Sequence, residues 1–234
     1  MNGFIIKKYQ KMASTNTFLK ENAHNFSDRT VIVADIQTGG RGRLGKTFHS
    51  EDNGGLYMSV LLRGYDAPQE LTVRVAVCVH RAIEKAFGLD CAVKWVNDIY
   101  YNGKKLCGIL CERTGDGSII CGIGVNVHKR DFPDEIKDIA CSIGDYIDDA
   151  DRDKLLEAIL ADMDKALSDD FGEIMAYYRS KCFVIGMKVR VLVGLDDYEA
   201  LVLDIADDGN LIVMKDDGTA ASLNSGEIVL KIGR

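Results

Sequence analysis

The chain has 234 residues, enough for one large domain or for a main domain with a small appendage. Apolar residues make up 47% and charged residues 28%, which is ordinary for a globular protein and excludes a disordered or low-complexity chain. The net charge of −7 argues against a general nucleic-acid or membrane-surface binder, because such proteins are usually basic.

Charge and cysteine are unevenly distributed. Residues 1–50 carry eight Lys or Arg and three Asp or Glu, so we expect an anionic small molecule to bind near them. The seven cysteines are odd in number and contain no CxxC pair, which predicts reduced, mostly buried thiols rather than disulfides or a structural metal site. No signal peptide or membrane span is visible, so we expect a cytoplasmic protein.

The first predicted elements are a strand and a capped helix. Residues 3–9 are typical of a short strand, and Ser14 stands where a helix N-cap belongs, before the helix-like residues 17–21. A cap explains the Ser14 hydroxyl by itself; the alternative is that the hydroxyl and the first-turn amides face a ligand. A second apolar strand is predicted at 31–36, and it leads directly into residues 37–46.

The segment 37–46 contains four glycines and three cationic side chains. Glycine lets backbone amides approach a phosphate or carboxylate closely, and arginine binds oxyanions through two parallel hydrogen bonds. The segment therefore indicates an anion-binding loop, with an ordinary surface loop as the alternative. Two common nucleotide motifs are excluded, because no Gly-Lys-Ser/Thr ending is present and no clear helix follows the loop directly.

The middle of the chain predicts a core helix and a strand meander. A strand at 56–62 precedes a helix at 68–87, whose apolar residues recur at three- and four-residue steps and which ends at Gly88. The Asn-Gly pair at 102–103 is typical of a type I′ hairpin turn. The strands on either side, together with the strand at 118–127, should therefore form an antiparallel meander.

Lys105 lies next to this hairpin turn, on the middle strand of the meander. Simple alternation places Lys105 on the same face as Cys107, Ile109 and Cys111. A lysine beside a tight turn on a central strand is unusual and is a candidate anion-binding residue; the alternative is an exposed strand end, where charge is common. The next strand ends in glycines and Asn126, which suit a flat ligand and an adenine edge, although a turn-forming Asn is the alternative.

The last third of the chain changes in character. Two helices are predicted at 151–167 and 171–181, and the acidic run at 145–170 is typical of a solvated helix face. After Gly186 we expect a small β-barrel that packs on the main domain. Its four short strands are predicted at 187–193, 199–205, 210–214 and 227–232.

Five motifs together resemble those of the biotin–protein ligases, in the short form without an amino-terminal DNA-binding domain. The resemblance covers essentially the whole chain, and order and spacing match together although each motif alone is weak. The motifs are Ser14-Thr15-Asn16, Gly40-Arg41-Gly42-Arg43-Leu44-Gly45-Lys46, Lys94-Trp95-Val96-Asn97-Asp98, Lys105-Leu106-Cys107-Gly108-Ile109-Leu110-Cys111-Glu112 and Gly122-Ile123-Gly124-Val125-Asn126-Val127.

This resemblance implies an α+β fold, with a mixed-sheet catalytic domain at 1–185 and an SH3-like C-terminal β-barrel at 186–234. It also implies a reaction in two steps. The carboxylate of biotin attacks the α-phosphate of ATP, accompanied by Mg²⁺, to give biotinyl-5′-AMP and pyrophosphate. A lysine on a biotin carboxyl carrier protein, or on the carrier domain of a biotin-dependent carboxylase, then displaces AMP. A homodimer is possible at family level, whereas a nucleic-acid or membrane partner is not implied.

The resemblance also implies roles for individual residues. The expected catalytic residues are Lys105, Arg43, Lys94 and Asp98. The expected biotin-binding residues are Ser14, Thr15, Gln37, Gly40, Arg41, Gly42, Lys105, Leu110, Gly122 and Gly124. The expected ATP- or adenylate-binding residues are Arg41, Arg43, Asn97, Lys105 and Asn126. No structural metal is implied, and Asp98 is a possible contact to the Mg²⁺ that accompanies ATP.

Three of these roles are specific. The resemblance implies that Lys105 bridges the biotin carboxyl group and the α-phosphate, that Arg43 holds the phosphate and retains the adenylate, and that Arg41 covers the biotin tail when the loop closes. The sequence departs from the usual family pattern at three positions: Val96 stands in place of proline, Lys46 in place of arginine and Phe48 in place of tryptophan. None of these changes affects Arg43 or Lys105.

Two rival functions remain from the sequence. A lipoate–protein ligase or octanoyl transferase shares the general fold and acceptor type, but the Gly-Arg-Gly-Arg loop and the Lys-Trp-x-Asn-Asp motif favour biotin. A non-catalytic adaptor that binds biotin or an adenylate is the other rival. The joint presence of Arg43, Lys105 and Asp98 argues against it, because a mere binder needs no donor at the α-phosphate.

Overall fold

The computed structural model describes residues 3–50 and 53–230, and its larger sheet has seven strands. These are β1 (Ile5–Met12), β2 (Thr30–Gln37), β3 (Gly55–Leu62), β4 (Ala92–Lys94), β5 (Asp98–Tyr101), β6 (Lys104–Arg113) and β7 (Ile119–Asn126). Their order across the sheet is β1-β2-β3-β7-β6-β5-β4. Only β1 and β2 run parallel among the paired strands of the described residues, so the sheet is mixed, as predicted. The short strand β4 is absent from the sequence-based prediction.

Helices cover both faces of this sheet. They are α1 (Thr15–Asn22), α2 (Pro68–Phe87), α3 (Arg152–Ser168) and α4 (Phe171–Lys181). Helix α1 connects the parallel strands β1 and β2 and packs on one face over a small apolar cluster that includes Leu19, Ile32 and Ile120. Helices α2, α3 and α4 pack on the other face, where the main hydrophobic core lies. The α1 face is therefore the less covered face of the sheet.

Local sequence explains the bounds of α2, which match the prediction. Pro68 occupies the first helical position, where its missing N–H has no partner to lose. Gly88 ends the helix with φ of +71°, a left-handed conformation that glycine adopts without strain, and its N–H donates to the Glu84 carbonyl at 2.8 Å. Burial on several sides of the helix makes it the central element of the core.

The C-terminal part forms a second sheet, which is antiparallel and has the order β11-β10-β9-β8-β12. Its strands are β8 (Lys188–Val193), β9 (Asp196–Ile205), β10 (Leu211–Lys215), β11 (Ala220–Leu223) and β12 (Glu227–Leu230). The prediction of four strands missed β11, whose Ala-Ala-Ser-Leu sequence lacks branched and aromatic residues. The last strand was expected to reach residue 232, which lies outside the described residues.

The second sheet packs against the first part of the chain through the turn between β9 and β10. The indole Nε1 of Trp95 donates to the Gly209 carbonyl at 2.9 Å, and Gln69 Nε2 donates to Asn210 Oδ1 at 2.9 Å. Arg179 Nε donates to the Ile205 carbonyl at 2.5 Å. These contacts fix the position of the second sheet and place the start of β12 beside the α1 face.

One predicted feature of β6 is wrong. Lys105 does not share a face with Cys107 and Ile109, because the pairing with β5 shifts by one residue at Leu106, which forms a β-bulge. A bulge inserts an extra residue and reverses the alternation beyond it. The Nζ atom of Lys105 consequently lies on the side of Gly108, 3.3 Å from where a β-carbon on that glycine would lie. Lys105 therefore faces the α1 side, away from the main core.

Within the described ranges, none of the helices is both long enough and apolar enough to span a bilayer.

Candidate functional site

A cleft opens on the α1 face of the larger sheet. Strands β6 and β7 form its floor, and the start of α1, the loop at 41–48 and the start of β12 form its walls. Thirteen of the fifteen predicted site residues line it. They are Ser14, Thr15, Gln37, Arg41, Gly42, Arg43, Lys94, Asn97, Asp98, Lys105, Leu110, Gly122 and Gly124.

One side of the cleft is polar and uncharged, and we call it the neutral side: Ser14, Thr15, Asn16, Gln37 and Gly122. Ser14 caps α1, since its Oγ accepts a hydrogen bond from the Thr17 N–H at 3.4 Å. Gln37 Oε1 accepts from the Thr15 N–H at 2.9 Å, so a side chain from β2 satisfies one of the free amides of the first turn. The polar side chains here are buried, and each has a hydrogen-bond partner within the protein, which makes the neutral side rigid.

Glycines in β7 are required by close side-chain packing. A β-carbon at Gly122 would overlap Asn16 Oδ1, and one at Gly124 would lie 2.7 Å from the Phe48 ring. The sequence indicated that these glycines admit a flat ligand or another backbone. In the structure the space above them holds the Asn16 amide and the Phe48 ring, which form part of the cleft wall.

The loop at 41–48 forms a small hairpin over the cleft. Arg41 and Thr47 form an antiparallel bridge, and the Gly42 N–H donates to the Lys46 carbonyl at 2.7 Å. Leu44 at the tip has φ of +53° and is 68% exposed. The loop is therefore anchored at its base, while its tip makes little contact with the rest of the protein.

The opposite side of the cleft is charged, and we call it the charged side: Arg43, Lys46, Lys94, Asp98, Lys105 and Glu227. Lys105 Nζ lies 2.7 Å from Asp98 Oδ1. The angles at this contact do not satisfy a hydrogen bond, so the two groups are held together by charge. Lys46 forms an ion pair with Glu227 at the start of β12. Four cations thus face two carboxylates, which leaves an excess of positive charge in the cleft.

Burial affects two of these cations. It lowers the pKa of Lys94 and of Arg43, and in both cases the nearby Asp98 carboxylate opposes the shift without cancelling it. Asn97 connects the loop to the sheet, because its Oδ1 accepts from Arg43 Nη1 at 3.3 Å while its Nδ2 donates to the Ile109 carbonyl at 2.8 Å. The partly desolvated cations are therefore positioned for an anion that enters the cleft.

The turn that carries Lys94 and Asp98 is fixed from behind. Lys94 pairs with Asp98 across β4 and β5, and the Trp95 indole is anchored to the Gly209 carbonyl of the second sheet. The Val96 carbonyl accepts from the buried Tyr178 hydroxyl at 3.0 Å, so this turn is held in place with valine at position 96.

Two predicted site residues lie outside the cleft lining, Gly40 and Asn126. A β-carbon at Gly40 would overlap the Phe48 carbonyl and Ser50 Oγ, which accounts for glycine at the base of the loop. Asn126 Nδ2 donates to the Cys141 carbonyl at 2.9 Å, and its Oδ1 accepts from Arg130 at 2.6 Å. Both polar atoms of Asn126 therefore already have a partner within the protein, and its role at adenine stays a prediction.

Sequence reasoning missed several residues of the site. Asn16 and Glu112 belong to motifs that were recognised, yet neither received a role. Ser59 is a small polar residue between the apolar residues Met58 and Val60 of β3, a pattern that signals a buried polar partner. Residues 226–228 of the second sheet also line the cleft, and no local pattern marks them. In residues 3–50 and 53–230 no group of three His, Cys, Asp or Glu is arranged to hold a metal.

Comparison with known proteins agrees with this architecture. The profile of the Biotin/lipoate A/B protein ligase family matches residues 9–129, and that of the Biotin protein ligase C terminal domain matches 184–231. The Bifunctional ligase/repressor BirA of Bacillus subtilis is 36% identical in an alignment of 223 positions, which covers 88% of this chain and 68% of that protein. The Biotin–[acetyl-CoA-carboxylase] ligase of Mycobacterium tuberculosis is 28% identical in an alignment of 230 positions, which covers 92% of this chain and 85% of that protein.

A solved structure agrees over nearly the whole chain. The biotin protein ligase from Aquifex aeolicus, in complex with biotin and ATP, superimposes with a TM-score of 0.86 at 31% identity and covers 96% of this chain and 97% of its own. The chain therefore belongs to the biotin/lipoate A/B protein ligase family and carries a biotin protein ligase C-terminal domain.

Proposed function

We propose that this protein is a biotin–protein ligase, which activates biotin with ATP to biotinyl-5′-AMP and then transfers biotin to a lysine of a carboxyl carrier domain. The observation that carries the proposal is that one cleft joins a rigid neutral side to a charged side with four cations. The names of the relatives from Mycobacterium tuberculosis and Aquifex aeolicus support biotin and ATP as the substrates.

The first step brings together two anions, the biotin carboxylate and the α-phosphate. Their repulsion must be offset by fixed positive charge, and donors that are already in position lower the barrier most. Lys105 is the central candidate, because it projects from the floor of the cleft and is held beside Asp98. Arg43, placed over the cleft by Asn97, is the candidate for holding the phosphate as charge develops.

Magnesium accompanies ATP in this proposal, and the donors of the cleft fit it. Mg²⁺ usually binds through one or two carboxylates together with substrate phosphates and water. Asp98 and Glu227 both line the cleft and are the residues that would contact it. When bound, the ion neutralises phosphate charge. The role of the chain itself is to orient these carboxylates beside the lysines.

The second step requires that the adenylate survive until a carrier lysine arrives. A mixed anhydride is hydrolysed by water, so the loop must cover it. The exposed tip at Leu44 and the anchored base of the loop permit this closure. Arg43 is then positioned to retain the adenylate inside.

The neutral side favours biotin over lipoate. The urea ring of biotin has two N–H donors and a carbonyl, which match the hydroxyls and amides of Ser14, Thr15 and Gln37. The dithiolane ring of lipoate has no hydrogen-bonding group of comparable strength and would gain no such bonds from these side chains. The non-catalytic alternative gains no support from the charged side, because a simple binder does not need cations around an α-phosphate.

One assay separates these functions. The protein is incubated with Mg²⁺, radiolabelled ATP, a carboxyl carrier domain and either biotin or lipoate, and pyrophosphate release and label on the carrier are measured. We expect both signals with biotin and neither with lipoate. Turnover with lipoate alone would select the rival ligase, and binding of biotin without pyrophosphate release would select the adaptor.

A further inference from the structure

A continuous chain of polar groups runs behind the neutral side and ends at Glu112. Asn16 Nδ2 lies 3.1 Å from Glu112 Oε2 and 3.1 Å from the Leu110 carbonyl. On its other side Asn16 Oδ1 lies 2.5 Å from Ser59 Oγ, which lies 2.6 Å from Thr15 Oγ1. Thr15, Asn16 and Ser59 are buried. Thr15 lines the cleft, so the chain connects a distant carboxylate to the ligand-binding surface.

Glu112 fixes the orientation of the Asn16 amide. The carboxylate and the Leu110 carbonyl are both acceptors, so they require the two N–H donors of Asn16 on their side. A flipped amide would place its oxygen against two acceptors. Burial by itself raises the pKa of Glu112, but hydrogen bonds from Asn16 and Lys20 and the charge of Arg41 outweigh it and hold the pKa below its usual value. The carboxyl group is therefore an ionised acceptor.

The proton positions along the chain follow from this orientation. Asn16 Oδ1 must accept from the Ser59 hydroxyl, because two oxygens 2.5 Å apart need a hydrogen between them. A hydroxyl has one proton, so Ser59 cannot also donate to Thr15 and must accept from it at 2.6 Å. The Thr15 proton is then directed inward, and only lone pairs of its Oγ1 remain for the cleft.

Gln37 completes the arrangement. Its Oε1 already accepts from the Thr15 N–H, and it lies 3.1 Å from Thr15 Oγ1. With the Thr15 proton committed to Ser59, these two neighbouring oxygens both present lone pairs. Two acceptors at this distance repel each other mildly, and a ligand N–H that contacts both of them removes the repulsion.

We propose that Glu112 is a positioning residue, which sets the proton order of the Asn16–Ser59–Thr15 chain so that the neutral side accepts hydrogen bonds from an N–H donor of the substrate ring. This inference rests on the proposed function, in which the donor is a urea N–H of biotin. It assigns a specificity role to a carboxylate that does not line the cleft.

The hydrogen-bond chain from Glu112 to Thr15 predicts that substitutions at its two ends have non-additive effects on biotin binding. We expect Glu112→Ala, which removes the acceptor for Asn16, to weaken biotin binding, measured by calorimetry without ATP, by about tenfold, the scale of one hydrogen bond. Once Thr15→Val has removed the hydroxyl, the added Glu112→Ala change should cost less than about threefold. In the Arg41→Ala background, by contrast, the added substitution of Glu112 should still weaken biotin binding by the full factor, although Arg41 also contacts Glu112. The Michaelis constant for biotin should rise with little change in kcat.

Several results would overturn the role of Glu112. If substitution of Glu112 still weakened biotin binding in the Thr15→Val background, or no longer did so in the Arg41→Ala background, the carboxylate would act through Arg41 and the loop at 41–48. It would then not act through the hydrogen-bond chain. Ser59→Ala breaks the chain at its centre, and unchanged biotin binding by this variant would also contradict the inference. Glu21→Ala, an exposed change on the helix that carries Asn16, is the matched control and should bind biotin as the unmodified protein does. No binding by the unmodified protein would instead reject the proposed function itself.

Discussion

The two sides of the cleft are built on different physical principles. The neutral side consists of buried polar groups that hydrogen bonds hold at fixed distances, from Gln37 to Asn16. The charged side consists of partly exposed ions whose partners can be exchanged, such as Lys105 with Asp98. Satisfied buried networks are rigid, whereas ion pairs near water rearrange at low cost. The neutral side therefore suits recognition of a ring, and the charged side suits a reaction in which charge moves.

The largest effect is expected from the charged side. Lys105→Ala should lower adenylate formation by two or more decades, because it removes a preorganised cation from the reacting groups, for which losses of about 10²–10³ are typical. Initial rates of biotin-dependent pyrophosphate release measure this. Lys104→Ala is the matched control, since its Nζ contacts the Lys137 carbonyl outside the cleft. Near-normal rates in Lys105→Ala would show that another cation carries the reaction.

A smaller effect is expected from tightening the neutral side. In Gly122→Ala the new methyl group overlaps Asn16 Oδ1, and overpacking of this kind costs about 1–3 kcal/mol. We expect biotin binding to weaken about tenfold or more in calorimetry. Gly115→Ala is the control, because a β-carbon there meets no atom within 4 Å. Equal binding by both variants would show that the Asn16 contact is not rigid.

The pH dependence should depend on Lys94. Because burial lowers its pKa, Lys94 loses its proton on alkaline titration earlier than an ordinary lysine does. The value of kcat/KM for ATP should therefore decline at a lower pH in the unmodified protein than in Lys94→Arg, in which the cation stays charged. Lys104→Arg serves as the control. If the pH profiles of kcat/KM for ATP coincided at alkaline pH in Lys94→Arg and the unmodified protein, Lys94 would not act at the phosphate site.

The smallest effect is expected where the loop meets the second sheet. The Lys46 and Glu227 side chains are 60% and 30% exposed, and ion pairs of this type contribute about 0.2–1 kcal/mol. Lys46→Ala should raise the Michaelis constant for ATP less than about fivefold, and the difference should shrink at 1 M salt because exposed charges are screened. Lys188→Ala, which breaks another exposed pair, is the control. A larger, salt-independent loss would make Lys46 a direct phosphate ligand.

Sequence patterns predicted the elements that depend on local rules. The helix at 68–87 has its proline, its periodicity and its glycine cap in sequence, and the structure confirms its bounds. The hairpin at 102–103 is confirmed too, because both residues have positive φ. Such features are determined by near neighbours, so a single sequence suffices to identify them.

Features that depend on distant contacts were missed. The bulge at Leu106 reverses the face of Lys105, and it is caused by the register between β5 and β6 rather than by any local motif. The contribution of residues 226–228 to the cleft depends on how the second sheet packs against Trp95. The resemblance to a family located most of the cleft, but the hydrogen-bond chain behind it required atomic distances.

The central claim is that the neutral side recognises biotin and the charged side binds ATP. It is tested most directly by measuring the dissociation constants of biotin and of ATP separately in Gly122→Ala and in Arg43→Gly. A crossed pattern is expected: Gly122→Ala weakens biotin about tenfold or more and ATP less than about threefold, whereas Arg43→Gly weakens ATP by the larger factor and biotin by the smaller. If both variants weakened the same ligand to the same extent, the two sides would not act separately and this account would be wrong.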